Sequence, residues 1–123
     1  MTHDDVAQLD LREGSGVFAV RSLPATVYLV DVDALELLRR TGPDSSRGPA
    51  DNVWVPLAQL SALPARDDDT GDDSVVHVGA RHLYVFVQGS VIRWWVQRPV
   101  TSIERLTDDE VTTVPPRLPG WRR

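Results

Sequence analysis

The sequence predicts an all-β fold, an antiparallel meander or small partly closed barrel of five to seven strands with at most one or two short helices. Three observations carry that expectation. Runs of β-branched and aromatic residues such as VFAVRS, TVYLVD and HLYVFVQ recur along the chain. Stretches rich in Gly, Pro and Asp separate them. Finally, HLYVFVQ and VIRWWVQ are split by Gly89-Ser90 alone, which is the pattern of a two-residue type II′ hairpin with glycine in its first central position.

Residues 1–15 are polar and read as a mobile arm closed by Gly14 and Gly16. GSGVFA after it matches a dinucleotide-binding G-x-G-x-x-A on paper. That motif needs a strand before it and a helix behind it, whereas VFAVRS is strand-like and stops at Pro24, so the match reads as coincidence. GVFAVRS and TVYLVD form a hairpin around LPA. The next element, residues 34–41, is ambiguous. Asp33 with Glu36 makes a helix capping box and Gly42-Pro43 a stop, while the alternation of Leu35, Leu37 and Arg39 favours a strand. TGPDSSRGPAD is a loop, NVWV a short strand closed by Pro56, and PLAQLSALPA places Leu57, Leu60 and Leu63 at helical spacing between two prolines. An acidic loop, residues 64–74, lies within the β domain of residues 16–106. After Pro99, RPVTSIERL continues as a strand, Thr107 and Glu110 repeat the capping box, and residues 107–123 end the chain as a Pro/Arg-rich tail.

The Gly-Ser hairpin carries the functional expectation. A two-residue turn sets Gln88 opposite Val91, Phe86 opposite Arg93, Tyr84 opposite Trp95 and Leu83 opposite Val96. Alternation then gives two faces. Leu83, Val85, Val87, Ile92, Trp94 and Val96 are all apolar and are assigned to the core. His82, Tyr84, Phe86, Gln88, Val91, Arg93, Trp95 and Gln97 form the other face, with Arg93 placed to lie over Phe86. Tyr84, Phe86, Arg93 and Trp95 are therefore the expected binding residues, against the simpler reading that the chain's own arm, the 56–63 segment or the tail covers them.

Composition narrows the classes. Cysteine is absent, which removes disulfides, thiolate metal sites and cysteine nucleophiles. The net charge is −5 although all thirteen basic residues are arginine, and that balance opposes binding to nucleic acid or anionic membrane through the overall field. Coding bias from a GC-rich genome is the simpler reading of the missing lysine, set against a chemical reason, since arginine stacks and forks in ways lysine cannot. The acidic start MTHDDVAQLDLREG has no apolar run, so neither a secretory nor a transit peptide is expected, and no segment approaches the roughly 18 apolar residues of a membrane span. A cytoplasmic protein with no membrane association is the expectation.

Other candidates are weak. His77 and His82 flank V-G-A-R and could approach one another, with Asp72 or Asp73, around a metal, but their spacing fits no zinc pattern. RDDDTGDDS fails the calcium-loop pattern, since counting from Asp67 puts Gly71 and Val78 at ligand positions 5 and 12. G-x-S-x-G, P-loop and H-E-x-x-H motifs are missing, so no catalytic residue, cofactor or metal is assigned and the protein is not expected to be an enzyme. PPRLP has the spacing of a polyproline ligand but is short enough to arise by chance.

Tyr28 and Asp31 in a Y-x-x-D, Arg39 or Arg40, Trp54 before a proline, the V-G step at Gly79, and Thr101-Ser102 together resemble a loose set of small uncharacterised β-rich proteins of GC-rich actinobacteria and their phages. The S-G-S common before the tyrosine in that set is LPAT here. The resemblance covers roughly residues 16–106. It implies a strand rather than a helix for residues 35–40, and it supplies no catalytic residues. The expected function is a non-catalytic binding or accessory module, phage-encoded if the resemblance holds, that engages a protein partner or a second copy of itself through Tyr84, Phe86, Arg93 and Trp95. Two alternatives use the same chain differently: a small β-barrel binding single-stranded nucleic acid on those residues, or a hydrolase of unidentified type.

Overall fold

The structure is a computed structural model that describes residues 4–22, 26–40, 52–63 and 74–111. It is all-β and antiparallel, as expected, with one short helix. In chain order the strands are β1 (Asp4–Val6), β2 (Gln8–Asp10), β3 (Val17–Ser22), β4 (Val27–Asp31), β5 (Glu36–Arg40), β6 (Trp54–Leu63), β7 (Val75–His77), β8 (Arg81–Gln88), β9 (Val91–Gln97) and β10 (Val100–Arg105), followed by α1 (Asp108–Val111). Eight strands make one sheet in the order β1-β10-β3-β4-β5-β6-β8-β9, and β2 pairs with β7 in a small second sheet. The large sheet is not closed into a barrel. It is nonetheless rolled: β9 is one edge and β10 is next to the other, yet only Arg98 and Pro99 separate them in sequence. A two-residue link can join those strands only if the sheet curls back on itself. Gly79 N–H donates to Val100 O at 2.8 Å and Val100 N–H to Ala80 O at 3.0 Å, which pins that join.

The strand count exceeds the expected range for identifiable reasons. The segment read as an arm contributes β1 on β10 and β2 on β7, and Leu9 of β2 is buried in the core. Residues 56–63, expected as one or two helical turns, are strand. β6 runs ten residues straight through Pro56, so that proline does not close it. Pro56 is tolerated because it sits where β6 changes partner: Trp54–Pro56 pair with β5, Leu57–Leu63 pair with β8, and a register shift between Leu57 and Gln59 follows at once. The bulge also lets Leu57 and Leu60 share the inner side, producing the three-residue spacing that looks helical. Residues 36–40 are a strand as well, paired with β4 and β6. The apparent capping box is used otherwise. Asp33 Oδ2 accepts from Gly16 N–H at 3.0 Å and Asp31 Oδ1 from Ala34 N–H at 3.0 Å, and Leu35 takes φ 55° before β5 begins. The second capping box is real: Thr107 and Glu110 exchange bonds of 2.8 and 3.2 Å around α1.

The rolled sheet has a concave side holding the main core, with Phe18, Val20, Tyr28, Val30, Leu37, Val55, Leu60, Tyr84, Phe86 and Ile103. On the convex side a smaller cluster of Val17, Ala19, Leu29, Leu38 and Trp54 is covered by Leu106 and Val111, which bring the chain back over β3–β5 after β10. Residues 1–3, 23–25, 41–51, 64–73 and 112–123 lie outside the described residues, and with them the LPA turn, the TGPDSSRGPAD loop, most of the acidic loop and most of the Pro/Arg-rich tail expected from the sequence.

The β8–β9 hairpin has the expected register throughout, from Gln88 opposite Val91 to His82 opposite Gln97, and Gly89 has φ 63° while Ser90 does not take a positive φ, as a type II′ turn requires. Its faces, however, are the reverse of those expected. Tyr84 and Phe86 are 0% exposed, whereas Trp94 is 65% and Ile92 67% exposed. Truncations should therefore rank as follows in urea denaturation: Phe86→Ala costs about 3–5 kcal/mol, whereas Trp94→Ala costs less than about 1 kcal/mol. The opposite order would restore the apolar face to the core.

Candidate binding surface

The reversal has a physical cause. Alternating apolarity assigned the wholly apolar face inward, but a rolled sheet leaves a wide interior that large rings fill better than valines, provided that their polar tips find partners. Here they do. Tyr84 Oη–H donates to Gln97 Oε1, and Gln97 Nε2 donates to Val20 O at 3.1 Å and to Ser22 Oγ at 3.2 Å. This buried chain of bonds ties β8 and β9 to β3 across the interior. Tyr28 stacks on Tyr84 with ring centroids 4.6 Å apart, and Trp95 packs on Phe86 at 4.1 Å and edge-on to Tyr28 at 5.8 Å. Burial, with the neighbouring Tyr28 adding to it, holds the Tyr84 hydroxyl well above its ordinary pKa, so it stays protonated and remains a donor.

The residues expected to bind a partner are consequently divided. Tyr84 and Phe86 are core residues with no surface to offer. Trp95 is half-buried against the core, and Arg93 is half-buried with its Nε atom lacking a hydrogen-bond partner among the described residues. The guanidinium over this cluster is that of Arg39, 5.8 Å from the Trp95 ring, in place of the expected Arg93 on Phe86. The simpler reading, that the chain covers this face, describes it better: Tyr28 of β4 and the β3 partners of Gln97 lie over it, and Leu9 from the arm and Leu60 from the 56–63 segment share its core cluster, while the tail beyond Val111 lies outside the described residues.

His77 and His82 do come together, with ring centroids 6.5 Å apart. Their chemistry is structural: the His82 Nε2 lone pair accepts from His77 N–H at 3.0 Å, joining β7 to β8, and is not free for a metal. No cluster of three or more His, Cys, Asp or Glu side chains suited to a metal occurs among the described residues. Asp72 and Asp73 lie outside them. Burial and then the nearby His77 lower the His82 pKa to about 4.

The convex side of β8–β9 presents the opposite picture. Ile92, Trp94 and Val96 are exposed in a row along β9, with Val87, Val85 and Leu83 half-buried beside them on β8. Strand alternation picks out all six residues and the Trp94/Trp95 division, but these side chains face out where hydrophobicity predicts that they face in. A groove of about 140 Å³ over β3–β5, bordered by Arg21, Arg40, Leu106 and Glu110, is smaller than the roughly 300–1,000 Å³ of ordinary ligand pockets. Arg21 there is engaged by Glu104 at 2.9 Å. No helix of the described residues is long and apolar enough to cross a membrane. A scan against protein-family models finds no match, and searches of curated proteins and of solved structures return none of significance.

His82 gives a pH signature. Its folded pKa lies below the unfolded value, so folding is fully supported above about pH 6.5, where both states are neutral; as pH falls from there toward 4 the unfolded chain alone takes up the proton. Denaturation midpoints should fall through that window, and His82→Gln, which keeps an acceptor for His77 N–H, should flatten the fall. A midpoint in the wild type that is level from pH 6.5 to 4 would contradict the buried neutral imidazole.

Proposed function

We propose that this protein is a non-catalytic binding module that engages a protein partner through the convex face of β8–β9, with Trp94 as the anchor. The observation that carries the reading is a difference between two apolar patches on the same side of the sheet. Over β3–β5 the chain spends Leu106 and Val111 to cover Val17, Ala19, Leu29, Leu38 and Trp54. Over β8–β9 Ile92, Trp94 and Val96 are exposed. A contiguous apolar row with an exposed indole is costly to keep in water, and tryptophan is among the residues that most often dominate protein interfaces.

An accessory role of this kind accords with the resemblance to small actinobacterial and phage proteins. The single-stranded nucleic-acid alternative has less support: its stacking platform relied on Tyr84 and Phe86, which are buried, and the net charge of −5 works against phosphate. The hydrolase alternative has no catalytic constellation behind it.

Selection of a displayed random peptide library on the folded protein tests the reading. Enriched ligands should lose at least about 30-fold in affinity against Trp94→Asp, the scale of an aromatic anchor worth ~2 kcal/mol. Ligands that bind Trp94→Asp as well as wild type, or a library that yields none, would contradict it.

A further inference from the structure

The hairpin register determines where the backbone groups of β9 point. Gln88 and Val91 flank the two-residue turn and therefore exchange hydrogen bonds, and the pattern alternates from there. Arg93, Trp95 and Gln97 thus turn their N–H and C=O groups toward β8. Ile92, Trp94 and Val96 turn theirs outward, to the side where the sheet ends. The same three residues that expose their side chains also carry the open backbone edge.

Sheet edges are ordinarily blunted by shortness, proline, bulges or charge. The opposite edge follows that rule, since β1 is three residues long. β9 has only Arg93, on the face opposite Trp94, to blunt it: it is seven residues, its pairing with β8 has no register shift, and no proline interrupts it before Pro99. The charge at its end is also one-sided. Arg81 begins β8 on the same face as Leu83 and Val85, and Arg98 follows Gln97; both are exposed, and neither has an acidic partner among the described residues. One step beyond the His82–Gln97 pair, two guanidiniums thus stand at the base of the apolar row in a protein that is otherwise acidic.

We infer that β9 is a strand-addition site for an extended acidic–apolar segment of a second protein. This rests on the binding reading above and specifies its mode and partner. The added strand hydrogen-bonds to the backbone of Ile92, Trp94 and Val96, lays alternate apolar side chains beside Trp94, and sets one or more carboxylates against Arg98 and Arg81. A second copy of this chain is the poorer occupant, because it brings another pair of arginines to the interface in place of a carboxylate.

A panel of synthetic octapeptides alternating Val or Ile with Thr, ending at either terminus in two Asp or two Lys, tests this by titration calorimetry and amide hydrogen exchange. Asp peptides of one polarity should bind roughly ten-fold or more tighter than their Lys counterparts. Exchange at the Ile92, Trp94 and Val96 amides should slow on binding while Arg93 and Trp95, already bonded to β8, stay unchanged. Arg98→Glu, an exposed change that leaves the fold intact by circular dichroism, should invert the charge preference. Failure of every Asp peptide to bind at millimolar concentration, binding that leaves the three edge amides fast, or a concentration-dependent dimer protecting those amides would each overturn the inference. Library ligands that need Trp94 but leave the edge amides fast would sink strand addition and keep the protein-binding reading; ligands indifferent to Trp94 would sink both.

Discussion

The structure depends on one buried side-chain amide. Gln97 lies at the end of β9, accepts from Tyr84 on β8, and donates to the Val20 carbonyl and the Ser22 hydroxyl on β3. Those partners stand on opposite parts of the sheet, so the bonds exist only when the sheet is rolled. Each such bond contributes about 1 kcal/mol net, and losing one partner while the rest stay buried costs more than that. The network therefore acts mainly as a specification: it selects the curvature in which Tyr28 and Tyr84 stack, and it lets polar-tipped rings be the core.

Once that side of the hairpin is inside, alternation leaves no choice about the other. Leu83, Val85, Val87, Ile92, Trp94 and Val96 must face out, and Leu106 and Val111 after β10 pack over β3–β5. The exposed row and the open backbone edge of β9 are thus two consequences of one register. The small β2–β7 sheet plugs the roll with Leu9 and Val76 and is joined to β8 through the His77–His82 bond. A neutral imidazole at that bond keeps the plug in place without burying a charge.

Much of this was legible in the sequence. The Gly89-Ser90 turn and all seven β8–β9 pairs follow from chain chemistry, as do the β3–β4 hairpin, β10 after Pro99 and the Thr107–Glu110 capping box. What was not legible is tertiary. Hydrophobic count ranks the wholly apolar face as core because it cannot know that Gln97 will meet Val20, 77 positions away. Periodicity misreads Leu57 and Leu60 because a bulge after Pro56 mimics helical spacing, and three-residue strands such as β1, β2 and β7 are too short to show alternation. A signal was present in hindsight: the aromatic face carried glutamine, tyrosine and histidine, groups able to satisfy one another.

The orientation of the hairpin determines which face of β9 is free, and nuclear Overhauser contacts measure it without altering the protein. With Tyr84 and Gln97 inside, cross-peaks run from the Tyr84 ring to the Tyr28 ring and from the Gln97 side-chain amide to Ser22, and that amide is slow to exchange. Cross-peaks from the Trp94 indole or the Ile92 methyls to Tyr28 or Val20, with a freely exchanging Gln97 amide, would show that the Ile92–Trp94–Val96 face is the core and would remove the basis for a surface at β9.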